Sequence, residues 1–103
     1  MSISFDASKL EENLGVAVLM PNDEQVAVYL VGGELYALSN IDPYSRAAVM
    51  SRGIIGEHEG RPTVASPMLK QKFYLDDGTS LQEDEVVIPT YPVKQEGGQI
   101  IVG

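Results

Sequence analysis

Cysteine is absent from the 103-residue chain. That absence removes disulfides, thiolate metal ligands and a cysteine nucleophile together, and it fits a reducing compartment. A conventional iron–sulfur site goes with them. Long apolar runs are missing as well: no stretch approaches the ~20 residues that cross a bilayer, and the opening MSISFDASKL has neither a basic leader nor an apolar segment of signal-peptide length. A soluble, cytoplasmic protein is expected. Basic residues are few, seven against fifteen acidic ones, and the formal net charge of -8 repels phosphate-rich partners. Nucleic acid and membranes are therefore not expected as partners. Internal repeats, low-complexity tracts and linkers are lacking too, so residues 1–103 read as one domain, whose core the 44% apolar residues can supply.

Helical periodicity is weak, with one short turn expected at Ala7–Glu12 and another at Ala47–Met50. What the chain has instead is a series of short apolar and β-branched runs separated by Gly, Pro, Asn and Asp. Val26–Val31 and Glu34–Ser39 flank Gly32-Gly33, a pair able to adopt positive φ, and predict a hairpin. Gly15–Met20, closed by Pro21-Asn22-Asp23, reads as a strand. So do Arg61–Ser66 and Lys70–Leu75; the second ends at Asp76-Asp77-Gly78 and puts Phe73 and Leu75 on one face. Val86–Ile88, Thr90–Val93 and Gln99–Val102 extend the pattern, with a turn at Glu96-Gly97-Gly98 and an edge position implied at Pro92. Many short strands with such turns predict an all-β sandwich or small barrel.

Two segments, Ala37-Leu-Ser-Asn-Ile-Asp-Pro-Tyr44 and Ala65-Ser-Pro-Met-Leu-Lys-Gln-Lys-Phe-Tyr-Leu-Asp-Asp-Gly78, resemble the two cluster-binding loops of Rieske ferredoxin domains. In that family the first loop carries Cys-Pro-His and the second Cys-Pro-x-His, followed by a Phe and a turn Gly. Here Asp42-Pro43-Tyr44 and Ser66-Pro67-Met68-Leu69 take those places. A Rieske centre needs two thiolates on one iron and two imidazoles on the other, a set that Asp42, Tyr44, Ser66 and Leu69 cannot replace. The resemblance runs from Glu24 to Gly103 and is strongest over Tyr36–Gly78. Retained loops without ligands, together with Ser39-Asn-Ile-Asp-Pro43, Ser51-Arg-Gly53 and Ala65-Ser-Pro67, are similar to the small subunit of assimilatory NAD(P)H nitrite reductase.

That likeness implies a small antiparallel Rieske-like β domain with two loops at the former cluster tip. It implies a non-redox subunit of a cytoplasmic oxidoreductase that reduces nitrite to ammonium in nitrate assimilation, with no catalytic centre and no cofactor in this chain. FAD, a 4Fe–4S cluster and siroheme would belong to the large subunit, its expected partner. The alternative is a stand-alone clusterless module that binds another oxidoreductase or a small ligand, and an independent electron carrier is the third possibility.

Other residues invite sharper chemistry than their context supports. His58, the only histidine, sits between Glu57 and Glu59, where an exposed loop residue is the simpler account than a base or metal ligand. Asp42, Ser66 and His58 supply the inventory of a hydrolase triad without a nucleophile elbow. Asp76-Asp77 and Glu83–Glu85 lack EF-hand spacing and read as solvated turns, and Gly32-Gly33 and Gly97-Gly98 open no helix, so they read as turns rather than phosphate cradles. Arg46, Arg52, Lys70 and Lys72, four of the seven basic residues, lie in or beside the two loops. Either they are scattered solubilising charge or, with Tyr44 and Met68, they form a docking surface for the large subunit. Tyr44 and Leu69 alternatively fill the volume a cluster would occupy. The purified protein is expected to be colourless and free of iron; visible absorption from thiolate-to-iron charge transfer would overturn the reading of a non-redox chain.

Overall fold

The computed structural model describes residues 2–68, 70–82 and 85–103. Among them nine strands form three antiparallel three-stranded sheets. Strands β2 (Gly15–Leu19), β3 (Gln25–Val31) and β4 (Glu34–Ser39) make the first, in that order. Strands β5 (Ile54–His58), β6 (Arg61–Ala65) and β7 (Lys72–Tyr74) make the second. In the third, β1 (Ile3–Asp6) and β8 (Val93–Glu96) flank β9 (Gln99–Val102). No helix among the described residues is long and apolar enough to cross a membrane.

Strand β3 explains this layering. Its run Val26-Ala27-Val28-Tyr29 is buried at every residue, although neighbouring side chains in a strand point to opposite faces. Both faces must therefore be covered, and an unbroken apolar run is the signature of such a strand. Val26 and Val28 pack with Leu10, Met20, Ala37, Ile100 and Val102 in one cluster. Ala27 and Tyr29 pack with Leu38, Met50, Val64, Phe73, Leu75 and Ile88 in the other. Burying a side chain as large as Phe73 or Leu75 contributes about 2–3 kcal/mol. The buried Tyr29 hydroxyl donates to the Met50 carbonyl, tying β3 to a 3-10 turn at Met50–Arg52.

The expected β3–β4 hairpin is present, with Gly32 and Gly33 at φ 59° and 80°. Phe73 and Leu75 are both buried. The later runs differ from expectation. Val86–Ile88 and Thr90–Val93 form only isolated bridges, Val87 to Thr79 and Thr90 to Leu38, before β8 begins at Val93. Pro89 and Pro92 have no N–H to give a ladder, and the 89–91 segment instead runs along β4 through Ser39 N–H to the Pro89 carbonyl and Tyr91 N–H to the Ala37 carbonyl. The turn expected at Ala47–Met50 forms at Met50–Arg52, because the Ala47 carbonyl is already taken by the amides of Asp42 and Val49. At the N-terminus the turn spans Ala7–Lys9, capped by Asp6.

Strands β1 and β5 were not among the strands expected from the sequence. Only Ile55 of β5 approaches burial, and Gly53 and Gly56 interrupt its apolar run. In β1, Ile3 and Phe5 alternate with exposed Ser4 and Asp6, a period-2 signal that was present in the sequence but short.

Gly78 is a position where only glycine suits. Its φ is +79° and a Cβ there would run into the Ile88 carbonyl, which lies against the turn from Tyr74 to Thr79. Gly78→Ala is expected to destabilise the fold by more than about 1 kcal/mol, the usual cost where alanine meets an incompatible φ, in a denaturant titration; an unchanged midpoint would contradict this account.

Candidate functional site

The two loops of the sequence reading follow β4 and β6, and the structure gives them one conformation. In the first, Asp42 N–H donates to the Ala47 carbonyl (2.9 Å) and Arg46 N–H to the Asp42 carbonyl (2.7 Å). In the second, Ser66 N–H donates to the Gln71 carbonyl (2.9 Å) and Lys70 N–H to the Ser66 carbonyl (2.9 Å). Each loop is closed by a basic residue in the left-handed region, Arg46 at φ 65° and Lys70 at φ 61°. Each is also tightened by its first side chain: Asp42 Oδ1 accepts from Tyr44 N–H at 2.9 Å, and Ser66 Oγ from Met68 N–H at 3.3 Å. Lys70 in this conformation also delays β7 to Lys72, so the strand is shorter than the expected Lys70–Leu75.

The loops meet through their first residues. Ser66 Oγ donates to Asp42 Oδ2 at 2.5 Å, and Ser45 Oγ donates to the same oxygen at 3.0 Å. Both Asp42 and Ser66 are buried. Burial alone would raise the Asp42 carboxyl pKa, but the hydrogen bonds from Ser66, the Tyr44 amide and Ser45 outweigh it and hold the group below the ordinary carboxylate value.

The remaining predicted residues divide. Tyr44 turns inward: it packs against the core cluster, its ring centroid lies 5.9 Å from that of Phe73, and its hydroxyl lies 3.0 Å from Ser80 Oγ. It thus fills space beneath the tip. Met68 is exposed, as are Arg46, Lys70 and Lys72. Arg52 is exposed too, but it lines an open groove with Leu14, Val31 and Ile54 at the edge of β5. Among the described residues none of these four cations has an ion-pair partner, whereas Arg61 and Lys94 do. Leu69 lies outside the described residues, as do Glu83 and Asp84.

This donor set does not fit a two-iron cluster. The Asp42 carboxylate is committed to three hydrogen bonds, Ser66 spends its proton on it, and Tyr44 faces the core. None offers the thiolate or imidazole that such iron needs. The other constellations dissolve similarly. His58 lies 3.9 Å from Glu59 and beside the Tyr74 ring, away from the Asp42–Ser66 pair, so no triad forms. Asp76 and Asp77 face the Arg61 guanidinium at 2.6–3.1 Å, which itself stacks 3.6 Å over Tyr74, leaving no open calcium cage. Gly97 and Gly98 form a hairpin turn at φ 58° and 80°.

The sequence profile of the Rieske-like 2Fe-2S domain matches residues 4–103. The nitrite reductase (NADH) small subunit of Escherichia coli K12 is 37% identical over 105 residues, covering 97% of this chain and 96% of that one. The chain belongs to this family of Rieske-like nitrite reductase small subunits. A Mycobacterium tuberculosis crystal structure, of a protein proposed to be an NADH-dependent nitrite reductase small subunit, superimposes with a TM-score of 0.92 at 41% identity. It covers 99% of this chain and 95% of that one. The Klebsiella oxytoca nitrite reductase NAD(P)H large subunit also contains a similar region, 36% identical over 98 residues; it covers 95% of this chain but only 10% of that protein. The family's fold, two loops on a β domain, is the one expected from the sequence.

Sequence reasoning matched the loops by their first residues and prolines but missed the cation at the same position in each. Asp42-Pro-Tyr-Ser-Arg-Ala47 and Ser66-Pro-Met-Leu-Lys-Gln71 share a hydrogen-bonding first residue, a proline second and a cation fifth. That spacing was a usable signal.

Asp42→Ala is expected to lower stability by about 2–3 kcal/mol, since it strands buried donors of a charged acceptor. A double-mutant cycle of Asp42→Asn with Ser66→Ala should show a coupling of about 1–2 kcal/mol. Because the folded pKa is depressed, the contribution is complete above the unfolded carboxyl's value of about 4 and fades as pH falls through the lower folded value. Asp42→Asn should therefore flatten the acid limb of a stability–pH curve; an unchanged limb with additive mutants would contradict this role.

Proposed function

We propose that this chain is the small, non-redox subunit of a cytoplasmic NAD(P)H-dependent nitrite reductase, and that residues 1–103 act as one docking domain on a large subunit carrying FAD, 4Fe–4S and siroheme. Electrons pass from nicotinamide to nitrite, yielding ammonium, entirely within that partner. The observation that carries the reading is the Asp42–Ser66 hydrogen bond: it holds two exposed cation-bearing loops in a shared shape with neither thiolate nor imidazole.

Arg46 and Lys70 hold left-handed backbone conformations that cost non-glycine residues about 1 kcal/mol or more. Their side chains have no ionic partner among the described residues, although acidic residues outnumber basic ones fifteen to seven. Unpaired cations on an acidic protein orient it toward an acidic face, which raises the rate of productive encounter. Met68 adds exposed apolar surface on the second loop, and Lys72 adds charge at the start of β7. Tyr44 supports this tip from beneath, and Arg52 extends the cationic surface toward β5. The similar region within the Klebsiella oxytoca large subunit adds support, because a domain that one relative carries in the large-subunit chain is suited to pack against it.

Reversing the charge at Arg46 and Lys70 together should reduce co-purification with the large subunit at least tenfold at low salt, with less effect at high salt. NADH-dependent nitrite reduction by the mixed subunits, compared with the large subunit alone, reports the consequence. Unchanged co-purification would remove the tip as the docking surface; wild-type protein that neither binds nor alters activity would remove the function.

A further inference from the structure

Strand β5 has an unused hydrogen-bonding edge. The β5–β6 hairpin closes through Glu59-Gly60 at φ 52° and 80°, a two-residue turn whose flanking pair, His58 with Arg61, is hydrogen-bonded. Antiparallel pairs alternate, so Glu57 opposite Pro62 and Ile55 opposite Val64 are the non-bonded pairs. Pro62 independently agrees, since it has no N–H and its carbonyl accepts the Leu75 amide on the other side, at 3.0 Å. The amides and carbonyls of Ile55 and Glu57 therefore point away from β6, and among the described residues no backbone group meets them.

Alongside this edge runs an open groove of about 580 Å³, lined by Leu14, Val31, Arg52, Ile54 and Glu57. Leu14 and Ile54 are 56% and 72% exposed. Bare strand edges are often blunted by proline, lysine or a covering segment; β5 contains neither residue, and among the described residues no backbone pairs with its outer edge. Strand β2 also has an open side, but Leu14–Met20 contains no charge to select what lies there. The β5 groove does: Arg52 stands at one end without an ionic partner among the described residues, and Glu57 stands at the other. The strand also begins beside the second loop, because Ile54 pairs with Ala65, the residue before Ser66.

We infer that an extended segment of the large subunit adds to β5 as a fourth strand of the β5–β6–β7 sheet. It pairs with the outward groups of Ile55 and Glu57, sets a carboxylate against Arg52, lays an apolar side chain over Leu14 and Ile54, and has no acidic residue opposite Glu57. Main-chain bonds give such an added strand its affinity and the flanking side chains its selectivity. The inference rests on the large subunit being the partner, as proposed above.

The test uses the full chain and the purified large subunit. Glu57→Pro deletes one outward N–H while leaving every β5–β6 hydrogen bond, and proline is tolerated at an edge; Glu57→Ala keeps that N–H. The proline variant should bind about tenfold more weakly and the alanine variant within about twofold of wild type. Ile54→Asp, which places a charge in the groove at an exposed position, should also weaken binding. In the wild-type complex the Ile55 and Glu57 amides should exchange hydrogen at least tenfold more slowly than in the free chain. Wild-type affinity for both Glu57→Pro and Ile54→Asp, with unprotected amides, would overturn the added strand while leaving the partner assignment intact. No binding by the wild-type chain would overturn both.

Discussion

Burial of β3 on both faces dictates where the rest of the chain must lie. Val26 and Val28 require cover from β9 and its neighbours, and Ala27 and Tyr29 require it from β6, β7 and the Ile88 segment. With those layers in place, β4 and β6 deliver their ends to the same region, and the loops after them come into contact. The Tyr29 hydroxyl on the Met50 carbonyl and the Asn40 side chain on the Ser51 amide, at 2.7 Å, fix the segment that follows the first loop. The core and these hydrogen bonds therefore position the tip.

What a Rieske cluster does covalently, holding two loops together, is done here by a carboxylate and a hydroxyl. Such a bond is shorter and stronger than a neutral one, but it is worth kilocalories rather than a metal's binding energy. The loops therefore rely on their own internal closures, one pair of backbone hydrogen bonds each. Polar side chains that bond within a loop leave the cations on its outside free of the inner network. Arg46 and Lys70 consequently remain outward on a protein that carries a net charge of -8.

The distribution of the other charges follows the same logic. Arg61 is absorbed by Asp76 and Asp77 and by the Tyr74 ring, so it braces the start of β6 against the turn after β7 and contributes little to the outer field. Lys94 meets Glu96 on β8. Among the described residues the cations left without an ion pair, Lys9 aside, lie at the two loops and at the β5 groove.

Much of this was readable from residues alone. The Gly32-Gly33 hairpin, the turn glycines and the shared burial of Phe73 and Leu75 follow from local chemistry and period-2 patterning. So does the exclusion of thiolate chemistry, which needs only a residue count. The sequence could not reveal that Asp42 meets Ser66, because that bond joins residues 24 positions apart and exists only once the sheets have packed. Nor could it show that Tyr44 turns inward while Arg46 and Lys70 face out, since side-chain direction in a loop depends on the backbone closure around it. Strand β5 lay beyond it for a related reason: with one partly buried residue and two glycines nearby, its place is set by pairing to β6 rather than by its own pattern. The inventory of groups was determined by the sequence; which of them touch, and which edges stay open, was decided by the burial of β3.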